Sequence, residues 1–307
     1  MCGTAAIRYG RTRQDKQRWY CLRCRHTFIW RNAGARQQRE HIWFARWIQE
    51  GYSVRQLAQN APYALSKLHQ IITAHLRQIP PARASFLTVK HILCDGTFLY
   101  GRQGLFTVMD TKQYELLAGI YGVREGSMAV YRFLQSLKSK GLCPRSATID
   151  GNPQIMRYLR LVWPTIIIQR CIVHVQRQGL AWCRRNPKRT DAKQLRTLFL
   201  QLSTIHTASV CNQWCAKLAL WEARYGRRIE ESPERGWVFS DLKRARSMVL
   251  KALPNLFHYL QDPGIPTSTN GLEGYFSRLK LRYHQHRGLA VHRRNNYFQW
   301  YFYYCRR

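Results

Sequence analysis

The hydrophobic pattern between Val89 and Ile168 switches from a period of two to a helical period and back, and this ordering constrains the fold more than any other feature. Three short apolar runs, His91–Tyr100, Leu105–Met109 and Leu116–Val123, are separated by turns carrying Gly and Lys and predict a β-meander. Ser127–Lys140 then has helical spacing at Val130, Phe133, Leu134 and Leu137 and stops at Gly141. A strand at Ala147–Asp150, a helix at Ile155–Val162 and a buried strand at Ile166–Ile168 complete the order βββαβαβ. That order predicts an α/β fold, a mixed sheet with helices on its faces.

The flanks read differently. A short cysteine-bearing piece runs to about Trp30, and Gln37–Leu76 carries helical spacing through Ile42, Phe44, Ala45, Ile48, Leu57, Leu68, Ile71 and Ile72. Pro80-Pro81 makes a stiff break before the α/β region. Residues 179–266 are charged and mostly helical, with Trp182, Trp214, Trp221 and Trp237, and a further helix follows Thr267 and ends in an aromatic cluster from Tyr297 to Tyr304. No internal repeat or low-complexity tract is present.

Charge narrows the partners. The 307 residues hold 50 Lys and Arg against 16 Asp and Glu, a net charge of +34 spread over every segment. A chain this basic repels itself unless it meets a polyanion, so nucleic acid is the expected partner. No apolar run is long enough to span a membrane, and the polar, Arg-rich first thirty residues have no signal-peptide core. Ten cysteines without regular spacing favour a reducing cytoplasm over a disulfide scaffold.

Acids are scarce, which makes each informative. Residues 86–178 contain five: Asp95, Asp110, Glu115, Glu125 and Asp150. Asp95 and Asp150 each end an apolar strand and precede a glycine. Asp-Gly between hydrophobic runs is also a hairpin-turn signal, so each taken singly reads as a turn. On adjacent parallel strands, however, the pair would share divalent ions. Two Mg²⁺ ions can activate a water or 3′-hydroxyl and stabilise the leaving oxygen of a phosphodiester. Glu273 is the only acid in the last 41 residues and is the candidate third carboxylate; with Asn270 it also has the spacing of a capping box.

These residues resemble the Mutator-like transposases of bacterial insertion sequences. Gln169-Arg-Cys171-Ile-Val-His174-Val-Gln-Arg177 is similar to their Gln-x-Cys-x-x-His-x-x-Arg segment, and Asn270-x-x-Glu273-Gly274 with Arg278, Lys280 and His286-Arg287-Gly288-Leu289 to their glutamate helix and its basic continuation. The resemblance implies a ribonuclease H-like core over 86–178 and 267–307, interrupted by an all-helical insertion at 179–266. It implies that Asp95, Asp150 and Glu273 bind two Mg²⁺ or Mn²⁺ ions as an aspartate–aspartate–glutamate triad. Cys171, His174 and Asn270 would be its neighbours, although Cys171 and His174 taken alone read as a packed strand-end cysteine and a hydrogen-bonded histidine.

Two N-terminal pieces would address DNA. Cys21-Leu-Arg-Cys24 followed by His26 looks like the second knuckle of a zinc ribbon over 1–30, with Cys2 as the tail of the first. The four-cysteine pattern is incomplete, so either the chain starts late or His26 or a solvent molecule fills the fourth position on Zn²⁺. Residues 36–80 have the outline of a helix-turn-helix, with Ser53 as a cap and Lys67, His69 and Gln70 on the second helix available to a major groove. Arg278, Lys280, Arg282 and Arg287 would meet phosphates. The expectation is a cytoplasmic transposase that binds double-stranded DNA ends and target as a homodimer or larger assembly. The alternatives are a decayed, non-catalytic DNA-binding relative and a structure-specific nuclease on the same core.

Overall fold

The computed structural model describes residues 4–30, 33–81, 86–99, 104–231, 237–286 and 288–307. Strands β1 (Ala6–Arg11), β2 (Gln17–Cys21) and β3 (Thr27–Ile29) form a small antiparallel sheet in that order. Three helices follow: α1 (Ala33–Glu50), α2 (Val54–Asn60) and α3 (Leu65–His75). Gly51 turns the chain between α1 and α2 at φ +70°. Ser53 then starts α2 with a reciprocal cap, its Oγ accepting from the Gln56 amide at 3.3 Å while Gln56 Oε1 accepts from the Ser53 amide at 2.9 Å.

The meander and its continuation form one five-stranded sheet. Strands β4 (His91–Phe98), β5 (Gly104–Asp110) and β6 (Glu115–Val123) are antiparallel; β7 (Ser146–Ile149) and β8 (Ile167–Arg170) add in parallel, giving the order β6-β5-β4-β7-β8. Helices α4 (Met128–Ser139) and α5 (Pro153–Val162) make the crossovers. Side chains alternate across the sheet. Ile92 and Cys94 enter the core beneath α4 and α5 with Phe106, Val108, Leu134 and Leu159, whereas Leu93 enters the opposite one.

That opposite core joins three parts of the chain. Helices α10 (Asn270–His284) and α11 (Val291–Tyr304) lie on the sheet through Leu272, Phe298 and Phe302, and Phe44, Trp47, Leu57 and Leu68 of α1–α3 pack into the same cluster. The aromatic run at the C-terminus is therefore an interior seam: Tyr297, Phe298 and Tyr301 are buried, and Trp300 Nε1 donates to the carbonyls of His75 and Gln78 at 3.2 and 2.9 Å. Residues on both sides of Pro80-Pro81 share this core. Ile42, one of the residues setting the helical spacing, is half-exposed instead.

The helices α6 (Ile172–Cys183), α7 (Thr190–Gln201), α8 (Ala208–Glu231) and α9 (Trp237–Ala252) build a core of their own around Leu195, Phe199, Trp214 and Leu242. The buried tryptophans are satisfied: Trp214 and Trp221 donate to the carbonyls of Leu198 and Asp191, both at 2.9 Å. This helical unit leaves the sheet and returns to it at one place, where the Ile172 amide donates to the Thr267 carbonyl at 2.9 Å. Gln169, fully buried on β8, ties the two together by donating to the Leu256 carbonyl at 2.7 Å. Among the described residues no helix is long and apolar enough to cross a membrane, and the nine described cysteines are free thiols.

Helix α11 approaches β6 closely because residue 119 is a glycine; a Cβ there would fall 2.6 Å from the Phe302 ring. Gly119→Val should lower the urea midpoint by the equivalent of about 1–3 kcal/mol, the usual cost of overpacking. An unchanged midpoint would mean that α11 is not seated on the sheet.

Candidate active site

The parallel pairing of β4 with β7 aligns two aspartates. Leu93 is level with Thr148, so two residues further along both strands Asp95 is level with Asp150. Adjacent strands run roughly 4.8 Å apart, which leaves the two carboxylates as neighbours. Neither Asp-Gly pair is a hairpin turn. β4 runs straight through Asp95-Gly96 to Phe98, because its antiparallel ladder with β5 continues from Ile92–Asp110 to Phe98–Gly104. Gly151 has φ +102° and turns the chain into α5, whose N-cap Asn152 accepts from the amides of Gln154 and Ile155. Arg170 lies across Gly151 and leaves no room for a Cβ.

A third carboxylate joins this pair from the loop between β6 and α4. One oxygen from each of Asp95, Glu125 and Asp150 lies within 4.8 Å of the others, the one such set of three His, Cys, Asp or Glu ligand atoms among the described residues. The Glu125 carboxyl carbon lies against Gly96, 3.4 Å from where a Cβ would stand. Asp95 is buried and accepts from the Gly96 amide at 2.8 Å, and Asp150 accepts from the Asn152 amide at 3.1 Å. Glu125 Oε1 is buried and has no hydrogen-bond partner among the described residues. Reasoning from sequence counted Glu125 among the scarce acids of 86–178 but did not select it. The available signal was its position just past the third apolar run and just before a helix.

Glu273 stands in the first turn of α10, beside the start of α6. Its carboxylate lies 3.7 Å from His174 Nε2 and 3.5 Å from Arg177 Nη1, outside the set of three acids. The N-cap of α10 is Thr269, not Asn270, and Glu273 makes no capping-box bond; its carboxylate faces the two cations of α6 instead. Asn270 is the first helical residue, and its amide faces Ser268 Oγ at 3.5 Å. Cys171 joins α6 to α10. Its buried sulfur accepts from the Thr269 amide at 3.4 Å and lies 3.2 Å from His174 Nδ1. Burial works to raise this thiol, and the bonds from the His174 ring and amide and from the Thr269 amide outweigh it, so its pKa is lowered.

The other candidates lie elsewhere. Cys21 and Cys24 share the wall of an open pocket with His26, Trp19 and Phe28 on the small N-terminal sheet; Cys2 lies outside the described residues. Hydrogen bonds from the Cys24 amide, then Thr4 and the Arg23 amide, bring the Cys21 thiol down to about 6. On α3, His69 and Gln70 are exposed and line a groove of about 340 Å³ with Thr73 and Arg77, while Lys67 pairs with Glu40 at 2.9 Å. Arg278 and Lys280 are exposed on α10. Arg282 is half-buried, donating to Tyr301 Oη and Cys305 Sγ at 3.3 and 3.4 Å, and Arg287 lies outside the described residues.

Electrostatics explain what the acid cluster requires. Burial, then the neighbouring charge of Asp150, pushes Asp95 up to about 7, and the same two causes raise Glu125. The bond to Cys171, against burial and helped by Asp95 and Asp150, raises His174 to about 9. Crowded oxygens with one buried orphan suit a hard divalent cation such as Mg²⁺ or Mn²⁺, which takes oxygen ligands. Because the folded-state pKa of Asp95 lies above its unfolded value, the metal-free fold loses stability as pH rises toward about 7. A bound cation competes with that proton. Millimolar Mg²⁺ should therefore raise the melting temperature more at about pH 8 than at about pH 5. Equal shifts at both would contradict a carboxylate site.

Residues 109–251 match the family model described as "Transposase, Mutator family". The matched stretch runs from the end of β5 to the end of α9 and contains Glu125, Asp150, Cys171 and His174, with Asp95 and Glu273 on either side of it. No curated protein matches the chain. The family match supports a Mutator-family transposase.

Proposed function

We propose that this chain is a cytoplasmic DNA transposase of a bacterial insertion sequence, with a ribonuclease H-like core that cuts and joins DNA at inverted-repeat ends. The observation that carries this reading is the convergence of Asp95, Glu125 and Asp150 beside the parallel junction of β4 and β7, in a chain of net charge +34 that matches a transposase family. Asp95 and Asp150 hold the divalent ions, and Glu273 is the third catalytic carboxylate. When bound, the ions activate the attacking water or 3′-hydroxyl and stabilise the leaving oxygen of the phosphodiester.

The side chains around the acids do the rest. His174 and Arg177, the cations facing Glu273, receive the scissile phosphate, with Cys171 and Asn270 positioning the starts of α6 and α10. His69 and Gln70 on α3 reach base edges from a helix-turn-helix, and Lys67 approaches the backbone beside them. Arg278, Lys280 and Arg287 continue the cationic path along α10 and beyond it, with Arg282 between them anchored to Tyr301. The N-terminal sheet takes Zn²⁺ through Cys21 and Cys24, completed by Cys2, His26 or solvent. Two DNA ends must be held at once, which favours a homodimer or larger assembly.

Incubating the full chain with labelled inverted-repeat DNA and Mg²⁺ tests the reading. Joined products are expected; cleavage without joining would make it a nuclease, and binding alone a non-catalytic relative. Asp95→Asn should abolish cleavage and leave DNA affinity unchanged or raised, since it removes a negative charge facing the phosphates; a variant that still cuts removes Asp95 from the chemistry. DNA affinity should fall by on the order of 1,000-fold or more between about 50 and 200 mM salt, as many phosphate contacts release counterions. A flat response would contradict the distributed positive charge.

A further inference from the structure

Four carboxylates border the proposed centre, but they are not in equivalent states. Glu273 already has partners, with His174 Nε2 at 3.7 Å and Arg177 Nη1 at 3.5 Å. Glu125 is the opposite case: its Oε1 is buried and makes no hydrogen bond among the described residues. A buried carboxylate oxygen with no donor is costly, and such an atom is stabilised when something positive reaches it. What lies beside it are the ligand atoms of Asp95 and Asp150, all within 4.8 Å of one another. The backbone also fixes its place. Gly96 lies against the Glu125 carboxyl group on one side, and Gly126, at φ +77°, turns directly into α4 and packs against Gln154 and Asn152 on the other.

We infer that Glu125, rather than Glu273, completes the divalent-cation site of the DNA-free protein, which makes it a metal-binding residue beyond the expected triad. This rests on the reading of Asp95 and Asp150 as ion ligands. Its physical basis is that a ligand must be free to coordinate. Glu125 is unpaired and already positioned, whereas Glu273 would first have to leave two cations.

Calorimetric titration of Mn²⁺ into the full chain without DNA separates these roles. Glu125→Gln, which keeps size and removes the charge, should weaken Mn²⁺ binding on the order of tenfold or more. Glu273→Gln should lose DNA cleavage yet bind Mn²⁺ within about twofold of the parent, because it removes no ligand of the DNA-free site. Circular dichroism melts without metal check folding. Glu125→Gln should melt at or above the parent temperature, since it relieves like-charge crowding. Parent-like Mn²⁺ binding by a folded Glu125→Gln, or a matching loss in Glu273→Gln, would overturn the assignment and leave the Asp95–Asp150 centre standing. Undiminished binding by Asp95→Asn would remove that centre, and the assignment with it.

Discussion

Parallel pairing of β4 with β7 is the constraint on which the site depends. Antiparallel ladders join β6, β5 and β4, and had β7 added in the same sense, Asp150 would lie at the opposite end of the sheet from Asp95. A parallel neighbour requires a crossover, which α4 supplies above the core of Val130, Leu134 and Leu137. Burial of those apolar faces is therefore what holds two like charges together. The crossover also delivers Glu125, because the loop entering α4 lies at the same end of the sheet as Asp95 and Asp150.

A cationic chain with a small anionic pocket has an evident electrostatic logic. The surface attracts a polyanion, while the pocket repels phosphate until a cation neutralises it. Burial and mutual repulsion raise Asp95 and Glu125, so the bare cluster is unfavourable, and His174 and Arg177 face Glu273 beside it. The helical unit of α6–α9 springs from here. Its first helix carries His174 and Arg177, and the bond from Ile172 to Thr267 returns the chain beside its point of departure so that Glu273 faces them.

Much of this was legible in the residues. Periodicity located every element of the five-stranded sheet, and Ser53 announced the start of α2 as a local cap, while its reciprocal partner Gln56 emerged only in the structure. Asp95 and Asp150 were visible as acids ending apolar runs. What stayed hidden depends on tertiary structure. An Asp-Gly pair within a strand looks like one in a turn until β5 pairs across it. Glu125 has no periodicity to mark it and meets the aspartates only through the way β4, β6 and β7 are arranged. Asn270 has the residue type of a cap, yet Thr269 takes the position, its amide donating to the Cys171 sulfur. Nor could the pattern of aromatics tell that α11 would carry α1–α3 and the sheet on one shared core.

Acids remote in sequence are proposed to form one divalent-ion centre. Anomalous diffraction from crystals soaked in Mn²⁺ tests it most directly. A peak bonded to the carboxylates of both Asp95 and Asp150 is expected. A well-occupied Mn²⁺ peak elsewhere, with those two carboxylates bare, would contradict it.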